Sequence, residues 1–300
     1  MGCDRQADCE KRHFSRRICP DCSADLGFPN VRKARAGSDA LTERYDAARN
    51  GVAHLPKIDE FEQAVAQHSQ VVLTVRQEFL LSFLTSGKTL YVNYHRLVES
   101  GERIPAEEED HQRRVESDNA VFAGYHSDII FCALSLASTG PWSYGDYHLT
   151  LKPGMIESRL TFTQHNTFAY QKWFERIRRD DGSDGWREKP GYRADWRTKA
   201  KLAVAKHAGD IQADSHRSDF AAILLKSDGK RKTEEFIEGH VFGPLSRQAV
   251  AAVRAPTDEE FRGISGRSDI GVCNRGLKEI AAKLRAIKAQ GVHIDFKRGD

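Results

Sequence analysis

The sequence predicts an α+β protein with a mostly antiparallel core, and three observations carry that reading. Segments of alternating apolar and polar residues, rich in aromatic and β-branched types, recur between residues 89 and 163. A stretch of helical and loop texture follows from about 167 to 232. A further strand then returns at 236–245, ending at Gly243-Pro244, where proline cannot continue a ladder.

Taken in order, residues 1–55 are polar and charge-rich, with Gly27, Pro29, Gly37, Gly51 and Pro56 as punctuation. They are expected to form a tail or linker with little core of its own, ahead of a main domain over 56–300. Phe61, Val65, Val72, Val75, Phe79 and Phe83 recur at helical spacings and predict one long amphipathic helix halted at Ser86-Gly87. Residues 89–95 alternate and predict a strand ending at His95. Residues 99–116 are polar and acidic, suited to a surface loop or short helix. The apolar runs 119–124 and 129–136 each read as strand, and 146–152 with 158–163 predict a hairpin across Pro153-Gly154.

Beyond the hairpin, Tyr170, Trp173, Phe174 and Ile177 predict a helix, as do residues 196–207, and 218–225 add a short apolar segment. Trp186 and Trp196 are either anchors of a satellite core or contacts for a partner protein. Leu277, Ile280, Ala281, Leu284 and Ile287 form the apolar face of a terminal helix ending at Gly291, before a strand-like 292–296.

Composition narrows the function classes. Hydrophobic residues make up 39% and charged residues 30% of the 300-residue chain, which suits a soluble globular protein. Basic and acidic side chains number 46 and 43, so the net charge of +3 gives no general reason to expect nucleic-acid or membrane binding. The sequence lacks the apolar run of about 18 residues that a membrane span needs. It also lacks a secretory leader's apolar core, which leaves other export routes open. Walker, dinucleotide-glycine, HExxH and GxSxG motifs are absent.

Four of the six cysteines fall in the first 22 residues, at Cys3, Cys9, Cys19 and Cys22. Cys19-Pro20-Asp21-Cys22 has the spacing that lets two thiolates grip one zinc ion from a tight turn, and His13 is a further possible ligand. A structural zinc site, unligated thiols and a disulfide all fit this pattern.

Glu238 is the first candidate site residue. A carboxylate within an otherwise apolar strand must face either a wet cleft or a buried partner, because burying an unpaired charge is costly. The alternative is a carboxylate on the solvent face of an edge strand.

The stretch Phe-Ile-Glu-Gly-His-Val-Phe-Gly-Pro-Leu at 236–245 resembles the last catalytic strand of ADP-ribosyltransferase-like proteins. Tyr144-Gly145-Asp146-Tyr147-His148-Leu149-Thr150-Leu151 and Arg159-Leu160-Thr161-Phe162 are similar to middle strands of such domains. Order and spacing agree over roughly 88–254, and the layout is similar to the CteC-like family of bacterial effectors, which attach ADP-ribose to a threonine of ubiquitin.

The resemblance implies a split antiparallel sheet with flanking helices, NAD as the source of ADP-ribose, and Glu238 as the carboxylate that steadies the oxocarbenium-like ribose. Nicotinamide leaves neutral, so it needs no protonation. In one class of the family a histidine closes the first strand and binds ribose, which His95 matches; in another an arginine does so, and Arg96 is adjacent. The CteC-like family pairs its glutamate with an aspartate, which points to Asp118 as the second catalytic residue, with Asp146 behind it. Tyr94, Asn119 and Tyr125 join the cofactor-binding set on the same basis. A second glutamate is missing, because positions 236 and 240 are Phe236 and His240, which disfavours arginine as acceptor and suits a hydroxyl.

The expectation is therefore a secreted, monomeric effector that modifies a host protein, with ubiquitin as target and residues 167–232 as a helical target-binding insertion. An NAD glycohydrolase, a non-catalytic protein-binding module and a zinc-bearing regulatory factor are the alternatives.

Overall fold

The apolar strands found in the sequence collect into one sheet. The computed structural model describes residues 6–105, 107–178, 182–230, 233–257, 260 and 270–298. In chain order the strands are β1 (Gln70–Val75), β2 (Leu90–Tyr91), β3 (Ile129–Ser135), β4 (Tyr147–Leu151), β5 (Leu160–Thr163), β6 (Phe174–Arg178), β7 (Asp184–Glu188), β8 (Arg193–Asp195), β9 (Leu225–Lys226), β10 (Glu235–Phe236), β11 (Glu238–Phe242), β12 (Leu245–Ser246), β13 (Val250–Ala255) and β14 (Asp295–Arg298). Eight of them form a sheet of order β14-β13-β4-β1-β3-β11-β5-β8. Every described pairing in it is antiparallel except β13 with β14. The protein is a mixed α+β fold with a large, mostly antiparallel sheet and flanking helices.

Side chains alternate across a strand, so register assigns each residue to a face. Val71, Leu73, Val75, Ile130, Cys132, Leu134, Leu149, Leu160, Phe162 and Val241 belong to the main core. Helices Ser38–Asn50, Leu55–His68, Lys199–His207 and Phe220–Leu224 cover that face through Leu41, Phe61, Leu202 and Phe220. The C-terminal helix Ile270–Lys288 adds Leu277, Ile280, Leu284 and Ile287, four of the five apolar positions expected of it. The opposite face is more polar: Thr74 pairs with His148, and Thr161 and Thr163 pair with His240 and Glu238. Beside them a second cluster gathers Val121, Phe122, Tyr125, Ile129, Tyr170, Trp173 and Phe174.

Several expectations are corrected here. The single long helix across 61–83 is two helices, Leu55–His68 and Gln77–Thr85, split by β1. Residues 71–75 are buried on both faces, and a continuous apolar run fits either helix or strand by periodicity alone. The strand at 89–95 shrinks to β2, because Asn93 caps the helix Tyr94–Glu99 by accepting from the Arg96 N–H at 2.9 Å. Residues 119–121 close the helix Glu108–Val121 instead of forming a strand. β4 and β5 do not form a hairpin: Pro153 opens the short helix Pro153–Ile156, and the two strands lie on opposite sides of β1, β3 and β11 in the sheet.

Residues 167–232 are not a helical insertion set apart from the core. They supply β8 to the main sheet, the β6–β7 hairpin, and the core-packed helix Lys199–His207. Residues 29–50, expected within the tail, form two helices, and Leu41 is 1% exposed in the main core. Trp186 packs on Tyr170, and Trp196 on Phe162 with the Lys199 ammonium over its ring, so both serve as internal anchors. No described helix is long and apolar enough to cross a membrane.

Candidate functional site

β11 is an interior strand, held between β3 and β5, so Glu238 is not on a sheet edge. Its partners across the ladder are Ala133 and Thr163. Directly after Glu238, Gly239 lies on the core face, where a Cβ would sit 2.7 Å from the Cys132 sulfur. Gly243 ends the strand at φ +78, a conformation that L side chains rarely adopt. These two glycines fix where the strand runs and where it stops.

The Glu238 side chain is 4% exposed at the residue level and lines a cleft of about 340 Å³. Its Oε2 accepts the Thr167 N–H at 2.8 Å and lies 3.1 Å from His240 Nε2. The Thr167 side chain adds a second hydrogen bond to the carboxylate. Burial, then the negative charge of Asp118, pushes the Glu238 carboxyl up to about 8, while the Thr167 hydrogen bond and Arg114 pull the other way. Burial, then Arg193, holds His240 well below its usual range, so the imidazole is neutral.

The cleft is bounded by the C-terminal part of β1, the middle of β3 and residues of the segment 91–97. Phe79, Tyr91, Tyr94, Phe131 and Tyr144 give it flat aromatic walls, and Arg76, Arg103 and Arg114 line it as well. Arg103 and Arg114 place their guanidinium carbons 4.9 and 4.8 Å from the Tyr94 ring centroid, and Arg114 also lies 4.8 Å from that of Phe168. Among the described residues none of these three arginines is paired with a carboxylate. Arg76 directly follows β1, and sequence reasoning missed it along with Arg103 and Arg114. A strand-terminal arginine was a readable signal only once β1 was recognised as a strand.

The structure sorts the expected residues. Glu238 and Tyr94 line the cleft. His95 and Asp118 do not, yet they form a buried pair behind it: His95 Nε2 lies 2.7 Å from Asp118 Oδ2, and Asp118 Oδ1 has no partner among the described residues. His95 does not close a strand; it sits in the helix Tyr94–Glu99, and Asp118 in the last turn of Glu108–Val121, so the two helices bring them together. The His126 ring packs edge-on to His95 at 4.8 Å, and burial followed by His95 lowers its affinity for a proton.

Arg96 points elsewhere, ion-paired with Asp128 at the surface. Asn119 is exposed, and Tyr125 is buried in the second apolar cluster against Phe122 and Phe242. Neither lines the cleft. Asp146 is half-buried outside it too. His148, on β4, is fully buried; its Nδ1 accepts the Gly140 N–H at 3.0 Å, and burial depresses its pKa to about 3.

At the other end of the chain, Cys9, Cys19 and Cys22 bring their sulfurs within 4.8 Å of one another, and His13, Cys19 and Asp21 do the same with their ligand atoms. Cys3 lies outside the described residues.

Chemically, the cleft combines a proton-holding carboxylate, aromatic walls and guanidinium groups that have no carboxylate partner among the described residues. Such a set suits an anionic ligand with flat rings and hydroxyl groups. No model of a known protein family matches the chain, and a search of curated proteins returns no match.

Proposed function

We propose that the protein is a mono-ADP-ribosyltransferase that takes ADP-ribose from NAD to a hydroxyl of another protein. The observation that carries this reading is Glu238: a buried carboxylate on an interior strand, at a cleft that also presents three arginines with no carboxylate partner among the described residues. It rests further on the resemblance of 236–245 to the last catalytic strand of that enzyme class, and on the sheet being mostly antiparallel as the class requires.

The residues present fit NAD. Arg76, Arg103 and Arg114 suit its pyrophosphate, because guanidinium forks bind phosphate oxygens in pairs. Tyr94 and its aromatic neighbours suit a flat ring. The Glu238 carboxylate, at the cleft wall, suits a ribose hydroxyl as hydrogen-bond acceptor. When ionised, Glu238 stabilises positive charge that develops on the ribose as the bond to nicotinamide breaks. The bonding electrons leave with nicotinamide, the acceptor oxygen closes on the same carbon, and the hydroxyl proton passes to solvent or a base.

In this reading Arg76, at the end of β1, takes the place that the resemblance gave to His95 or Arg96. His95 and Asp118 become positioning residues: Asp118 sets the field at Glu238, and His95 holds Asp118. Ubiquitin is the proposed target by resemblance, with a threonine hydroxyl as acceptor.

The test incubates the purified chain with labelled NAD, ubiquitin and a cell lysate, beside Glu238→Gln. Label on ubiquitin that the variant cannot deposit supports reaction and target together. Label on a different protein keeps the reaction and discards ubiquitin. Free ADP-ribose without protein labelling points to a glycohydrolase, and intact NAD under every condition points to a binding module.

A further inference from the structure

We propose that Cys9, Cys19, Cys22 and His13 bind one zinc ion, and that this metal orders the N-terminal loop against the strand that carries Glu238. The site is separate from the cleft, and its test does not depend on any reaction there.

Geometry brings the three thiols together, and His13 reaches one of them, its ligand nitrogen lying within 4.8 Å of the Cys19 sulfur. The Cys9 and Cys22 sulfurs are 3.8 Å apart, far beyond a disulfide's bond length of about 2.05 Å. In a zinc tetrahedron with Zn–S bonds of about 2.3 Å, neighbouring sulfurs are separated by about 3.8 Å. Cys19 lies within 4.8 Å of both, so three thiols converge on one point. Two of them, Cys9 and Cys19, are 1% and 0% exposed.

The backbone around Cys19-Pro20-Asp21-Cys22 is folded to suit. Ser23 N donates to Cys19 O at 2.8 Å, and Cys19 N donates to Ala24 O at 2.9 Å, closing a tight turn that leads into the bridge between Ile18 and Asp25. Ser23 takes φ +61, a left-handed conformation costing a non-glycine residue roughly 1 kcal/mol. A turn that points two thiols inward and holds a serine in this conformation is what a metal held by both would stabilise.

Apolar burial alone is too small to do so. The local core of this segment is Cys9, Cys19 and Leu26, and chains this short generally need a metal or disulfides to hold a fold. Thiolates with an imidazole in a tetrahedral arrangement select zinc over hard cations. His13 supplies the fourth donor. Its Nε2 lies 2.9 Å from Asp21 Oδ2, and a carboxylate on one ring nitrogen commonly orients a metal-bound imidazole through the other. Binding displaces the three thiol protons to solvent, so affinity rises with pH.

The loop's effect reaches the main body through the helix Pro29–Ala36 and the residue before it. Arg32, on the helix Pro29–Ala36, donates to the carbonyls of Phe14, Arg16, Leu26 and Gly27 at 2.7–3.1 Å. On the same helix Asn30 donates to His240 O at 3.1 Å, two residues from Glu238. Phe28 packs on Phe242 at the end of β11, with ring centroids 5.6 Å apart.

The experiment purifies the full chain from zinc-replete cells, dialyses it against metal-free buffer, and measures bound metal by elemental analysis. Cobalt exchange and melting with and without chelator accompany it, on wild type, Cys22→Ser and His13→Ala. Cys22 is exposed, so its replacement spares the packing of the other two thiols. Expected are one zinc per chain, a thiolate-to-cobalt charge-transfer band, and loss of metal in Cys22→Ser. His13→Ala should keep the charge-transfer band and alter the ligand-field bands. Chelator should lower the melting temperature, restored by zinc and not magnesium. Protein without zinc whose three thiols are alkylated at the rate of unfolded chain overturns the proposal, as does a Cys9–Cys22 disulfide in mass spectra.

Discussion

His240 Nε2 lies 3.1 Å from Glu238 Oε2, and this contact is a hydrogen bond between neutral groups, not an ion pair. Burial pushes the Glu238 carboxyl up to about 8 and holds His240 well below its usual range, so near neutrality neither is charged. The imidazole donates from Nε2, and its Nδ1 accordingly has no partner among the described residues. Asp118, with its charge on the far side of Glu238, sets the same balance from behind.

The first consequence is a pH profile. In the proposed reaction Glu238 works as the carboxylate, so the active fraction of free enzyme grows as pH rises through about 8. The rate constant kcat/KM for NAD should climb about tenfold per pH unit below that value and level above it. Asp118→Asn removes the charge that raises the pKa, so the rising limb should move to lower pH. A purely structural role for Asp118 would lower activity without moving the limb.

Stability should run the opposite way. The folded-state value of about 8 lies above the ordinary glutamate value of 4.5, so between them the folded protein binds a proton that the unfolded chain has lost. Stability from this group is present below the lower value and declines as pH rises to the upper one. Glu238→Gln should therefore melt higher than wild type at pH 8.5 by several degrees and show little gain at pH 4.5. Thermal denaturation at both pH values measures it.

Arg76 and Arg103 are exposed and unpaired among the described residues, so their loss should spare the fold. A charge-assisted hydrogen bond contributes about 1.5–3 kcal/mol, and Arg76→Ala or Arg103→Ala should weaken NAD binding roughly 10- to 100-fold. Calorimetric titration with NAD reads this, and binding by wild type should weaken as salt increases.

Packing around the strand that carries Glu238 gives a test independent of function. Gly239→Ala places a Cβ 2.7 Å from the Cys132 sulfur and should destabilise the chain by about 1–3 kcal/mol. Cys132→Ala in the same chain should relieve much of that loss. Denaturant titration of the two single variants and the double variant gives the coupling.

Asn30 ties the N-terminal helix to the sheet, its Nδ2 donating to Arg159 O, Thr161 Oγ1 and His240 O at 3.0–3.2 Å. It is fully buried, so Asn30→Ala should cost about 1–3 kcal/mol by leaving buried acceptors unmatched. Deletion of residues 1–36 should destabilise more, since it also removes Phe28 and Val31. Either result is read from the denaturation midpoint.

Much of this fold was legible because the relevant signals are local. Strands β3, β4, β5 and β11 follow alternating or apolar runs closed by turn residues, and the terminal helix follows a clear apolar stripe. β1 was hidden because Val71, Val72 and Leu73 are all buried, which erases alternation, and flanking helices made the spacing look continuous. That error displaced the first strand from 70–75 to 89–95 and carried His95 with it. Asn93, a capping residue three positions before a helical amide, was the overlooked signal.

Glu238 could be found from sequence because a carboxylate stands out in an apolar strand. The arginines of the cleft could not, since Arg76, Arg103 and Arg114 meet only through sheet register and helix packing. Asp118, next to the strand expected at 119–124, lies instead in the last turn of the helix Glu108–Val121.

The most direct test of the central claim is nicotinamide release from NAD by the purified chain, measured by chromatography for wild type and Glu238→Gln at pH 8.5. The account predicts release by wild type, in the presence of an acceptor protein, and a loss of at least about a hundredfold in the variant, which should fold and melt no lower. Equal release by both, or none by wild type with every acceptor while NAD still binds, would contradict the role given to Glu238.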